Sequence, residues 1–320
     1  EVYPTYYPPR KTPKECYEQI IADLTDAEQY APDNDNSDRT KMTKTVAQAM
    51  LAKVYAEKEV QDYDKVITYA NKVIKTPGVE LEDSYETLWG YDETTMDCLK
   101  RNTKEGILEV HWTTGSGNWE TWMFGRQLDN WDYYFTWAKW ITPSRDIISD
   151  FEKEGDEVRK NQAIVYYACT WSNYYPASNY PFMYKLRSSY NNIYWIRLAD
   201  IILMKAEAEA YKGNLDESAK LVNQIRKRAK LQELASDKKN SKEAMIEAVL
   251  HERRLELAFE GERWFDLCRN NKVEKYLNGI DNRDNGRIKQ VKLFDSNSYL
   301  LPIPQTALDQ NTNLEQNPGY

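Results

Sequence analysis

The chain has 320 residues, and its 43 Lys and Arg face 51 Asp and Glu, giving a net charge of −8 at neutral pH. That length carries one large domain or two modest ones, and the acidic balance repels phosphate backbones, so nucleic acid is excluded as the expected partner. Only two His accompany ten Trp, 24 Tyr and 7 Phe. This excludes a His-built metal centre and favours rings that keep one edge wet.

A first helix is predicted over Pro13–Tyr30, with Thr12 as cap, Pro13 in the first turn and Glu15 at the capping-box spacing. A polar loop follows over 31–41. Next come two antiparallel helices within 43–75. The first carries Val46, Met50, Leu51, Val54 and Tyr55 on one side, and the second is capped by Asp62 and ended by Pro77-Gly78. A second pair with the same design spans 198–230, turning at Gly213-Asn214. The two pairs resemble a degenerate tetratricopeptide pattern interrupted by residues 76–195, a long, aromatic and loop-rich insertion of the kind that usually carries function. Within the insertion a helix is expected over 144–152. Beyond the second pair the pattern predicts one long helix over 241–270, a short strand over 287–294 after Asn285-Gly286, and a tail over 299–320 that wraps the surface. The fold class is therefore mainly α: tetratricopeptide-like helical pairs form a scaffold, with a loop-rich aromatic subdomain and a few short β-hairpins.

No apolar run approaches the ~20 residues of a membrane-spanning helix, and Glu1-Val2-Tyr3-Pro4 does not read as a signal peptide. Cys16, Cys98, Cys169 and Cys268 lack C-x-x-C spacing, so they predict neither a zinc ribbon nor a thioredoxin-type centre. The run Asp33 to Asp38 opens like a calcium loop but lacks the Gly at its sixth position and has Lys44 at its twelfth. No phosphate-cradling glycine motif is present. No cofactor and no metal are expected.

Several ordered motifs resemble the SusD/RagB-like family, the surface nutrient-binding lipoproteins of Bacteroidetes. They are the helical pair over 43–74, Trp140 to Asp146 running into Phe151 to Arg159, Ile196 to Glu207, Val222 to Ala229, Tyr299 to Pro304 and Gln316 to Tyr320. The most specific is His251-Glu252-Arg253-Arg254 continuing to Glu260-Gly261-Glu262-Arg263-Trp264-Phe265-Asp266. The resemblance implies a single domain over 1–320. It also implies that the family pattern begins upstream of residue 1, with an N-terminal helical region and a lipidated Cys that is not Cys16. It further implies a cell-surface, outer-membrane protein that binds glycan without turnover and delivers it to a SusC-like TonB-dependent transporter.

The residues of the insertion suit that role. Ten rings lie between Trp112 and Trp140, six of them Trp. Trp119, Trp122 and Trp131 stand among Gly, Asn and Asp, and a pyranose stacks its C–H face on such a ring while its hydroxyls take directional hydrogen bonds. Tyr133 and Tyr134 are expected as mixed stacking and hydrogen-bonding partners, and Arg126, Asp129 and Asn130 as readers of hydroxyls. Tyr174 and Tyr175, read as an exposed loop, are secondary candidates, while Tyr166 and Tyr167 are expected in the core. The charged segment 251–266 is read as an ion-pair network that fixes helix packing, and His111 as a hydrogen-bonded bystander. Glu109, Glu120, Asp129 and Asp132 lie near the rings and raise a glycosidase alternative, which the resemblance argues against. Two further alternatives remain. One is a binder of peptide or another nutrient, and the other is a scaffold whose helical pairs bind a protein.

Overall fold

The computed structural model describes residues 7–92, 94–95, 97–112, 142–169, 172–187, 190–284, 286 and 289–320. Its first helix, α1 (Pro13–Tyr30), starts with the full capping box: Thr12 Oγ1 accepts from Glu15 N, and the Glu15 carboxylate accepts from Thr12 N at 2.9 Å. It lies on α2 (Lys44–Ala56), with Ile21 and Leu24 packed on Leu51, Tyr55 and Met204. Asp62 caps α3 (Tyr63–Ile74).

The central element is α7 (Leu198–Lys212), buried from Leu198 through Ala210. Helices α2 and α3 pack on it, as do α8 (Leu215–Arg228) and α9 (Lys242–Glu256). The alanines Ala199, Ala206, Ala208 and Ala210 keep it thin enough to be surrounded, and Gly213, at φ 85°, ends it in the left-handed conformation. A helix covered on every side must pair its polar groups. Asp200 binds Lys53 and Arg253, and Glu207 binds Arg269.

The insertion holds more regular structure than its composition suggested. It contains α4 (Tyr85–Trp89), α5 (Arg145–Glu154) and α6 (Glu157–Ala163). It also holds three two-stranded antiparallel ladders: β1 (Tyr91–Asp92) with β2 (Asp97–Cys98), β3 (Gly106–Val110) with β6 (Ile193–Arg197), and β4 (Ile164–Tyr167) with β5 (Tyr180–Met183). The β3–β6 ladder is not a hairpin. It aligns Gly106 with Arg197 and Val110 with Ile193, so the chain leaves the scaffold after β3 and returns beside its point of exit before entering α7.

Two expectations need correction. The helix expected over 241–270 is broken: α9 ends at Glu256, Phe259 and Gly261 take φ of 66° and 85°, and α10 (Arg263–Arg269) follows. Lys185 Nζ and Arg197 Nη2 donate to Glu256 O at 3.0 and 2.8 Å, taking the carbonyl that the next helical turn would use. The strand expected over 287–294 is also missing from the described residues 289–294. There the Asn278 side chain replaces a strand partner, accepting from Phe294 N at 2.8 Å and donating to Phe294 O at 3.0 Å. The short helices α11 (Val273–Leu277), α12 (Ile280–Arg283) and α13 (Gln305–Gln310) complete the described elements. No helix among the described residues is long and apolar enough to cross a membrane.

Candidate functional site

Ser84 starts α4, and its single turn and a half brings Tyr85, Leu88 and Trp89 onto one buried face. Trp89 meets Tyr194 of β6 edge to face, with ring centroids 5.0 Å apart and planes at 87°. This pair forms one wall of a cavity of about 610 Å³. The facing wall is the elbow between α9 and α10, where Leu257, Phe259 and Trp264 line the space. Met183 and Lys185 at the end of β5 form the third side, and Thr142, Ser144 and Ile147 at the start of α5 form the fourth. The volume lies in the range of small-molecule sites, and mostly apolar walls with a few polar groups are their usual make-up.

Charge around the cavity is organised from the α9 side. Arg197 bridges Glu105 at 2.8 Å, Glu256 at 2.6 Å and Glu260 at 2.6 Å. Arg228 also binds Glu105 and Glu256, and Arg159 binds Glu252 at 2.6 Å and Glu256 at 3.2 Å. Tyr85 Oη donates to Glu256 at 2.6 Å. Burial alone would favour neutral Glu256, yet Arg228, Arg197 and Arg159 hold its carboxyl well below the usual range. The segment read as an ion-pair network is one.

The primary sequence candidates, Trp119, Trp122, Arg126, Asp129, Asn130, Trp131, Tyr133 and Tyr134, lie outside the described residues, as do Glu120 and Asp132. The two ends of that segment are described. Arg101 holds the Trp112 carbonyl at 2.7 Å, and Thr142 lines the cavity.

Tyr174 and Tyr175 correct the reading as an exposed loop: both rings are half-buried. The Arg145 guanidinium stacks on them at 4.5 and 4.1 Å, Tyr174 Oη donates to Asp284, and Tyr175 Oη donates to Pro143 O at 2.7 Å. Burial, with Asp284 nearby, pushes the Tyr175 hydroxyl up. With Arg145 they line a second, more open concavity. Tyr167 is exposed, and only Tyr166 packs against the Phe151 cluster.

His111 is a bystander, bound at 2.7 Å to Glu109. Glu109 itself is saturated: Thr103, Asn102 and Asn192 also donate to it, leaving no oxygen free to act as a base. The loop 33–38 is closed around Arg39, which donates to Asn36 at 2.9 Å and to Gly78 O at 2.8 Å. Among the described residues no group of three or more His, Cys, Asp or Glu is placed to hold a metal ion. Sequence reasoning missed Trp89 and Lys185 as site residues, although Ser84 before a short aromatic run marked α4 as a helix start. Trp195 also went unassigned; it stands on the outer face of β6 and is 66% exposed.

Comparison with known proteins places this geometry in context. The model of the SusD family matches residues 18–320. The chain is similar to SusD-like protein P2 of Formosa agariphila, at 28% identity over 97% of this chain and 66% of that protein, so it spans just under two thirds of the relative's length. Its fold matches a SusD superfamily protein from Bacteroides vulgatus with a TM-score of 0.76 and 23% identity, covering 99% of this chain and 70% of that one. It also matches a laminarin-binding SusD-like protein with a TM-score of 0.71 and 24% identity, covering 97% of this chain and 70% of that one.

Proposed function

The chain belongs to the SusD family, and on that premise we propose that it is a non-catalytic glycan-binding protein of the cell surface. The observation that carries this reading is the cavity lined by Trp89, Tyr194 and Trp264 beside Thr142 and Asn192. Aromatic walls with a few polar groups suit a pyranose. The laminarin-binding neighbour supports the same ligand class. In this reading Trp119, Trp122 and Trp131 stack the glycan, Tyr133 and Tyr134 add stacking and hydrogen bonds, and Arg126, Asp129 and Asn130 read hydroxyls. Tyr174 and Tyr175 have their hydroxyls engaged by the protein and offer only their remaining ring edges. The saturated Glu109 supports binding without turnover. Lipid anchoring in the outer membrane and delivery to a TonB-dependent, SusC-like transporter rest on family membership alone.

Calorimetry with laminarin and a panel of plant and host polysaccharides tests the reading. At least one glycan binds, and Trp122→Ala or Trp131→Ala lowers its affinity about tenfold or more, in line with the 1–3 kcal/mol of a lost stacking contact. Unchanged affinity in both variants overturns the stacking assignment, and release of shortened sugar products overturns the non-catalytic one.

A further inference from the structure

Resting on the glycan-binding reading, we propose that the cavity beneath the α9–α10 elbow takes an acidic sugar, a hexuronate unit whose carboxylate is held by Arg263.

The argument starts from an imbalance. The chain carries net charge −8, yet the cavity wall contains the four cations Lys185, Arg253, Arg254 and Arg263 and only two carboxylates, Glu260 and Asp266. Three of these cations are neutralised. Lys185 pairs with Glu260, Arg253 with Asp266 at 2.9 Å and Asp200 at 2.7 Å, and Arg254 with Asp146 at 2.9 Å and also with Asp150. Arg263 pairs with no carboxylate among the described residues. Among the described residues its guanidinium donates from Nη1 to Leu250 O at 2.9 Å and lies over the Tyr276 ring at 4.8 Å. Those two contacts hold the planar group in place and leave its other N–H groups for a partner. Burial, reinforced by the Arg254 cation, pushes Arg263 down to about 10, as expected of a cation short of a counter-charge.

The rings around the same space supply the rest of the site: Trp264 and the edge-to-face pair of Trp89 and Tyr194 line the cavity that Arg263 borders. One ligand unit fits this arrangement: a pyranose against the apolar walls, with its carboxylate on the guanidinium. The fork of Arg matches a planar carboxylate through two parallel hydrogen bonds, and the sulfated arm of the test separates that carboxylate from a sulfate ester of the same charge.

Calorimetry on the intact protein compares oligomers of galacturonate, mannuronate and glucuronate with their methyl esters, beside a sulfated oligosaccharide and laminarin. At least one uronate binds tenfold or more tightly as the acid than as the ester. Arg263→Gln brings the acid down to the affinity of the ester, and Arg263→Lys restores only part of the preference, because it keeps the charge without the fork. Thermal unfolding of both variants separates loss of binding from loss of fold, and the acid–ester comparison needs no variant. If no uronate prefers its acid form, or if only the sulfated sugar depends on Arg263, the inference fails. Laminarin binding in that case leaves the glycan reading standing, whereas failure of every sugar overturns both.

Discussion

The buried network under α9 and the cavity beside it both draw on the charged segment 251–266, and they use its groups differently. In the network, Arg159, Arg197 and Arg228 converge on Glu256, and Glu105, Glu252 and Glu260 complete the balance. Arg159 Nη2 and Arg228 Nε there lack a partner, yet both guanidinium groups meet carboxylates. At the cavity wall, Arg263 donates to Leu250 O and pairs with no carboxylate among the described residues. The difference separates two uses of charge. A buried cation with several carboxylates is committed to the fold, and a cation left incomplete at a cavity wall is available to a ligand.

The sharpest test of that contrast is Glu256→Ala. Removing one carboxylate leaves three guanidinium groups without their common partner, and breaking a buried charge pair costs about 3–5 kcal/mol. Urea unfolding of the variant shows a loss of that size, against about 1 kcal/mol or less for Arg263→Gln, whose partner is not part of the protein. Equal losses for the two variants would dissolve the distinction between network and cavity.

Trp89→Phe sharpens the comparison from the apolar side. Phe keeps a ring against Tyr194 but is smaller than the indole, which is only 3% exposed, so the space left behind lowers folding stability by about 1–3 kcal/mol. Glycan affinity changes little, because the indole Nε1 is closed off from the cavity. A variant that keeps its stability but loses affinity would make Trp89 a ligand contact instead of a packing residue.

How much of this was legible in the sequence depended on how local its cause is. The caps Thr12 and Asp62 act within three residues, and each is where its side-chain pattern put it. The elbow after Glu256 was not legible, because the groups that take its carbonyl are Lys185 and Arg197, far away in the chain. The β3–β6 ladder was hidden for the same reason, joining segments more than 80 residues apart, as Glu109 and Tyr194 do. Tyr174 and Tyr175 followed a loop-like composition, and nothing near them announced that Arg145 and Asp284 would bury them. For the site, composition marked the aromatic segment. It did not reveal which of Arg253, Arg254 and Arg263 lacks a carboxylate, since that depends on where Asp146, Asp200 and Asp266 fall in space.

The smallest expected effect lies at the edge of the network, where Glu154 meets His251 at 3.1 Å and Arg226 at 3.0 Å. The hydrogen bond from His251, with help from Arg226, holds the Glu154 carboxyl down at about 2, below its ordinary 4.5. A carboxylate whose folded pKa is depressed adds stability above its unfolded pKa and loses it as the pH falls through the folded value. Glu154→Gln is therefore less stable than the parent chain at pH 5. The gap closes between about pH 4.5 and 2, as the parent's carboxylate takes up its proton. Its size at pH 5 is about 1 kcal/mol or less, because the pair is partly open to solvent and Arg226 keeps Glu252 at 3.1 Å. Urea midpoints of both proteins at pH 5, 4, 3 and 2 read this directly. A gap that stays constant across that range would mean that Glu154 acts through packing and not through its charge, and the network would then end at Glu252.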